Sequence, residues 1–135
     1  MAGTASELHA GVAAALSAIP GIRVADHVPE GVNPPQAIVQ LDQVTYHRAM
    51  AGGLSEWRFV VVMVAGRMGE RTAHSNIDAW LSWDGDASVR AALEADPTLG
   101  GAAQTTKVVQ SLSIRPLTIG ELTYLTVELN VDVTA

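Results

Sequence analysis

The chain has 135 residues, near the size of one domain, and no cysteine, which excludes disulfides, thiolate metal sites and cysteine nucleophiles. Eight Lys/Arg against fourteen Asp/Glu give a net charge of −6; the cations are scattered singly from Arg23 to Arg115, and phosphate backbones are held by clustered ones, so composition speaks against nucleic-acid binding. Charged residues make up 16% of the chain, below the usual quarter, a shortage that points to surfaces covered by partners.

The opening stretch lacks a basic start and is interrupted by Glu7 and His9, so it does not read as a secretion signal. Leu8, Val12, Ala15, Leu16 and Ile19 recur at helical spacing and predict an amphipathic helix over Ser6–Ile19. Thr4 or Ser6 serves as its N-cap, and Pro20-Gly21 ends it. Its dense alanines make the opposite face thin. Ile22–Ala25 reads as a short strand. Asp26–Pro35, with Pro29, Pro34 and Pro35, reads as an ordered loop. Ala37–Leu41 is a strand, and Val44–Met50 alternates weakly.

Gly52-Gly53 is a turn signal, and Glu56–Ala65 is the strongest strand, apolar on both sides as befits a central position. Together they predict a long hairpin. No run approaches the roughly 18 apolar residues that span a bilayer. Thr72–Trp83 reads as a second helix, with Ile77, Trp80 and Leu81 on one face, and Trp83-Asp84-Gly85-Asp86 breaks it. A third helix runs over Ser88–Ala95, capped by Ser88 or Asp86 and closed by Asp96-Pro97. Thr105–Ile114 and Leu122–Val133 are strands joined by a turn over Pro116–Glu121. In the last strand Leu125, Val127, Leu129, Val131 and Val133 point one way, and Thr126, Glu128, Asn130 and Asp132 the other. The order α-β-β-β-α-α-β-β predicts one α+β domain over 1–135: a mainly antiparallel sheet of four to five strands with a long hairpin, packed against two to three helices.

Chemistry-bearing motifs are missing. Gly53-Leu54-Ser55 lacks the second glycine of a nucleophile elbow. Neither phosphate-cradling loop occurs, and the only lysine, Lys107, lies mid-strand. His74 and Asp78 are one helical turn apart, but with no second ligand pair they read as a solvated face. Asp84 and Asp86 flank Gly85 without the calcium-loop pattern and read as a capped turn. No catalytic residue, metal or cofactor is expected. Tyr46, His47, Arg48, Leu54, Trp57 and Arg58 gather around the hairpin. Aromatics and Arg are enriched at interface anchors, so these residues read either as a subunit contact or, for Tyr46 and Trp57, as core packing. Trp80 and Trp83 read as core and core-edge. Glu128 and Asp132 read as solvent-facing.

Four segments resemble the tail terminator proteins of long-tailed (siphovirus-type) bacteriophages of actinobacteria: the helix LHAGVAAALSAIPGIRV, the proline loop VPEGVNPPQAIVQL, the hairpin end WRFVVVMVAGR, and SVRAALEADPTLGG. The resemblance implies a structural virion protein, assembled in the host cytoplasm. It implies a homo-oligomer, a hexameric ring at the head-proximal end of the tail tube that stops tube polymerisation. Its partners would be the tail tube protein and the head-to-tail connector, with DNA only as a passenger through the lumen. A ring needs a head-to-tail interface that closes by rotation, which a long hairpin can supply; the segment Val44–Val62 is expected to do so. Glu128 and Asp132, or Asp84 and Asp86, are expected to line a DNA-repelling lumen. The competing readings are a head-completion or neck protein of the head–tail junction, which would bind the portal-side ring, and a small hydrolase or ligand-binding domain, which would need a polar pocket. A regulatory oligomer would need a basic stripe.

Overall fold

The structure, a computed structural model, describes residues 4–25, 34–46, 55–111 and 114–135. Helix α1 (Ala5–Leu16) is capped by Thr4, whose hydroxyl accepts the Glu7 N–H and in turn donates to the Glu7 carboxylate, which satisfies one of the helix's free N–H groups. Strand β1 (Arg23–Ala25) follows, then β2 (Gln36–Thr45) and β3 (Glu56–Arg67). Helices α2 (Arg71–Leu81) and α3 (Val89–Glu94) come next, and a short 3-10 turn, Leu99–Gly101, leads into β4 (Thr105–Ser111), β5 (Arg115–Ile119) and β6 (Leu122–Thr134).

These make an α+β fold: a six-stranded, mostly antiparallel sheet packed with three helices. The order is β1-β2-β3-β6-β4, with β5 also paired to β6 and only β1–β2 parallel. The central pair β3–β6 runs from Glu56↔Thr134 to Arg67↔Tyr124, with one register shift between Val64 and Gly66, and this central position explains the unbroken apolar run in β3. The strand count departs from expectation at the end of the chain. Pro116 does not start the turn but sits in β5, opposite Leu125. An edge position tolerates its missing N–H. The turn is instead Gly120-Glu121, between the paired Ile119 and Leu122, and Gly120 has φ +64. Two further runs fuse: 37–41 and the start of 44–50 form the one strand β2, through a bulge at Asp42.

One face of the sheet carries the main core. Val39, Phe59, Val61, Met63, Val127, Leu129, Val131 and Val133 meet Leu8, Val12 and Leu16 of α1, Ala73, Ile77 and Trp80 of α2, and Val89 and Leu93 of α3 in one buried cluster. The opposite face has a smaller apolar cluster, Ile38, Val64 and Tyr124 with Ala25 and Val62, and beyond it Val60 lies among polar residues. All three helices therefore lie on one side, and among the described residues no helix covers the other side of the sheet, here called the bare face. Among the described residues no helix is long and apolar enough to cross a membrane.

Candidate assembly surfaces

The bare face is read from its registers. Gln43, Arg58, Asp132 and Lys107 form one row across the sheet, Gln40, Val60, Asn130 and Gln110 a second, and Ile38, Val62 and Glu128 a third. Arg58 and Asp132 form a two-pronged pair, Nε to Oδ1 at 2.9 Å and Nη2 to Oδ2 at 3.2 Å. That hydrogen bond, with the Asp132 charge behind it, raises the Arg58 pKa above its ordinary value. Glu128 meets Arg115 at 3.5 Å. The middle of this face is a shallow polar concavity of about 410 Å³ lined by Gln40, Asp42, Arg58, Val60, Glu128 and Asn130.

The residues expected to anchor an interface part company. Tyr46, the residue after β2, is 68% exposed. Trp57 points to the helix side and packs against the core, with its Nε1 buried and unpartnered. Its neighbour Phe59 is met edge-on by His9, ring centres 5.0 Å apart. Arg58 lies on the bare face. His47, Arg48 and Leu54 fall outside the described residues.

Beside edge strand β4 lies a second feature. Trp80 is 4% exposed, as a core residue should be, but Trp83 is 71% exposed and not at the core edge. A continuing helix would put the two side chains on one face. Helix α2 stops at Leu81, and Ser82 turns extended with ψ 150°, which swings Trp83 outward. The Arg90 guanidinium sits 3.8 Å from the Trp83 ring centre, and its Nε donates to the Trp83 carbonyl at 2.9 Å. Asp84 at 3.3 Å and Glu94 at 3.2 Å complete the Arg90 surroundings. The Ser88 hydroxyl ties the turn down by donating to the Ser82 carbonyl at 2.6 Å while accepting the Ala91 N–H as cap of α3. A groove of about 180 Å³ runs between Trp80, Leu81, Trp83 and Arg90 on one wall and Val108–Ser111 on the other; Val109 is 51% exposed. Nothing in the 3.6-residue pattern marks Trp83 as a surface residue; the break at Trp83-Asp84-Gly85-Asp86 was the usable signal.

Asp84 and Asp86 are both exposed on the helix side of the sheet, whereas Glu128 and Asp132 lie on the bare face. Between α3 and β4, Asp96 organises the 3-10 turn. Its carboxylate accepts the Thr98 hydroxyl at 2.6 Å and the N–H groups of Thr98 and Gly100 at 3.1 and 2.9 Å. The Thr98 hydroxyl, then the two N–H groups, hold its pKa below the ordinary 3.8. Among the described residues no group of three or more His, Asp or Glu is placed to hold a metal. No protein-family model and no curated protein matches the chain.

Proposed function

We propose that this chain is a structural virion protein that forms a ring at the head-proximal end of a phage tail tube, ends tube growth and joins the tail to the head connector. The observation that carries the reading is that two different exposed features stand toward opposite lateral ends of one sheet. Tyr46 is exposed at the end of β2, toward one lateral end of the strand order, and the aromatic, apolar groove lies beside β4 at the other. A subunit with two unlike contact sites makes heterologous contacts, and these close into rings when the rotation allows. The low charge content supports extensive coverage by neighbours and by tube or connector subunits. The sequence resemblance supplies which ring.

The test is negative-stain imaging of tube subunits polymerised with and without the purified protein. Capped tubes of limited length are expected. Uncapped growth together with binding to the portal-side ring moves the protein to the neck of the head–tail junction. Binding to neither sinks the structural reading altogether.

A further inference from the structure

We propose that the pocket where the end of β3 meets the start of α2 binds a small zwitterion of the α-amino-acid class. This site is independent of the ring contacts.

The pocket, about 270 Å³, is lined by Arg67, Glu70, Thr72, Asn76 and Tyr124, with Pro34, Pro35 and Ala65 as an apolar wall. The fold fixes these walls. The register shift between Val64 and Gly66 sets Arg67 opposite Tyr124. Arg23 of β1 holds the two prolines, its N–H on the Pro35 carbonyl at 3.0 Å and its guanidinium on the Pro34 carbonyl at 3.3 Å. Asn76 is anchored by its Nδ2 on the Ala65 carbonyl at 3.3 Å, which turns its Oδ1 to acceptor duty. A Cβ on Gly66 would come within 3.3 Å of Glu70 Oε2, so the Glu70 carboxylate lies over bare backbone. Walls already in place keep the ordering cost of binding small.

The polar groups around the pocket lack partners. Tyr124 is only 8% exposed, yet its hydroxyl bonds to no described residue. The sealed unpartnered side-chain atoms among the described residues are His9 Nδ1 and Trp57 Nε1, so the Tyr124 hydroxyl is not sealed and opens onto the pocket that the residue lines. A polar group this enclosed is normally satisfied. Beside it, α2 starts from Glu70 with no side-chain cap, which leaves its first N–H groups open at the positive end of the helix. Arg67 and Glu70 line the same pocket, and neither forms an ion pair with a described residue, including each other.

A ligand of one charge leaves part of this set opposed. An anion alone faces the Glu70 carboxylate, and a cation alone faces Arg67 and the helix N-terminus. A zwitterion matches both. Its carboxylate takes the open N–H groups of α2, the Tyr124 hydroxyl and the Arg67 guanidinium. Its ammonium donates to Glu70 and to Asn76 Oδ1. The volume lies just under the roughly 300–1,000 Å³ of pockets for drug-sized ligands, and the wall of Pro34, Pro35 and Ala65 suits a small apolar side chain.

Titration of the isotope-labelled protein with L-valine and with glycine, followed through the backbone amide signals by NMR, tests this. Saturable shifts centred on Thr72, Asn76 and Tyr124 are expected. Isovalerate, which is valine without its ammonium, and isobutylamine, which is valine without its carboxylate, are each expected to bind about tenfold more weakly or worse, as loss of charge-assisted hydrogen bonds requires. Tyr124→Phe keeps the ring and is expected to weaken valine binding about tenfold with unchanged circular dichroism. Glu70→Gln is expected to erase the preference for valine over isovalerate, a change that loosened packing alone does not produce. Three results overturn the site: no saturable shift with either amino acid, isovalerate bound to wild type as tightly as valine, or full valine affinity in Tyr124→Phe.

Discussion

Gly11 offers the sharpest test of how the helix layer is packed. A methyl group added to it would lie 2.8 Å from Leu99 Cβ and 3.3 Å from the Leu99 carbonyl oxygen. Neither atom is the far end of a flexible side chain. Leu99 is buried at φ +50, and its turn is held by Asp96 and by the Thr106 hydroxyl on the Pro97 carbonyl. Two effects oppose each other in Gly11→Ala. Alanine in a helix interior gains about 0.5–1 kcal/mol over glycine, and overpacking a close contact costs about 1–3 kcal/mol. The steric effect wins because the obstacle is fixed, so a net loss of about 1 kcal/mol is expected. Urea unfolding measures it as a lower midpoint at unchanged slope. A second background decides the cause. Leu99→Gly deletes the colliding carbon and suits the positive φ; although it costs stability by itself, Gly11→Ala made on top of it should then stabilise by about 0.5–1 kcal/mol. Stabilisation in both backgrounds, or loss in both, would refute the proposed contact.

The tryptophans of the α2 end should separate cleanly. Trp80→Ala is expected to cost about 3–5 kcal/mol and Trp83→Ala less than about 1 kcal/mol, chiefly the stacked Arg90, both read from chemical denaturation. Asp96→Ala should destabilise at neutral pH. Because folding lowers the Asp96 pKa, its contribution is full above the ordinary 3.8 and fades as pH falls through that value toward the lowered one. The gap between wild type and variant should therefore close in acid, and a gap that widens there would contradict the carboxylate's role. Thr106→Val leaves the Pro97 carbonyl without its 2.9 Å donor and is expected to cost about 1–3 kcal/mol, measurable as a fall in the unfolding midpoint.

Elements whose pattern comes from a single face against one core were legible in the sequence. Leu8, Val12 and Leu16 at helical spacing, and the alternation of β6 from Val127 to Val133, both report burial on one side; Thr126, expected to be wet, is buried where β5 covers it and its hydroxyl donates to the Arg115 carbonyl. What escaped were features set by neighbours along an edge. Pro116 reads as a turn because it cannot donate, yet in β5 that matters little. Val44 and Leu41 read as two runs because Asp42 bulges between them. The surroundings of the residues expected at an interface were half legible. The spacing of two puts Trp57 on the face of Phe59, but because β3 is apolar on both sides, only the packing shows that this is the helix-covered face. Trp83 was hidden by its spacing from Trp80, which is helical in number but not in backbone.

The acidic residues first expected to line a lumen cannot all line the same one. Asp84 and Asp86 lie on the helix side, and Glu128 and Asp132 on the other, with the sheet and its core between them. The pairing of Glu128 with Arg115 and of Asp132 with Arg58 removes most of the net negative field from the bare face. If the bare face lined the passage of the proposed ring, its tolerance of DNA would come less from repulsion than from its rows of Gln40, Gln43, Gln110 and Asn130, which offer phosphates no unpaired cluster of cations. Replacing both Glu128 and Asp132 by their amides would free Arg58 and Arg115 and give this face a net positive charge. The expected outcome is DNA retention in a salt-sensitive gel-shift assay with ring formation intact. Loss of ring formation instead, in a chain that remains folded, would place the bare face in the subunit contact and remove it from the passage.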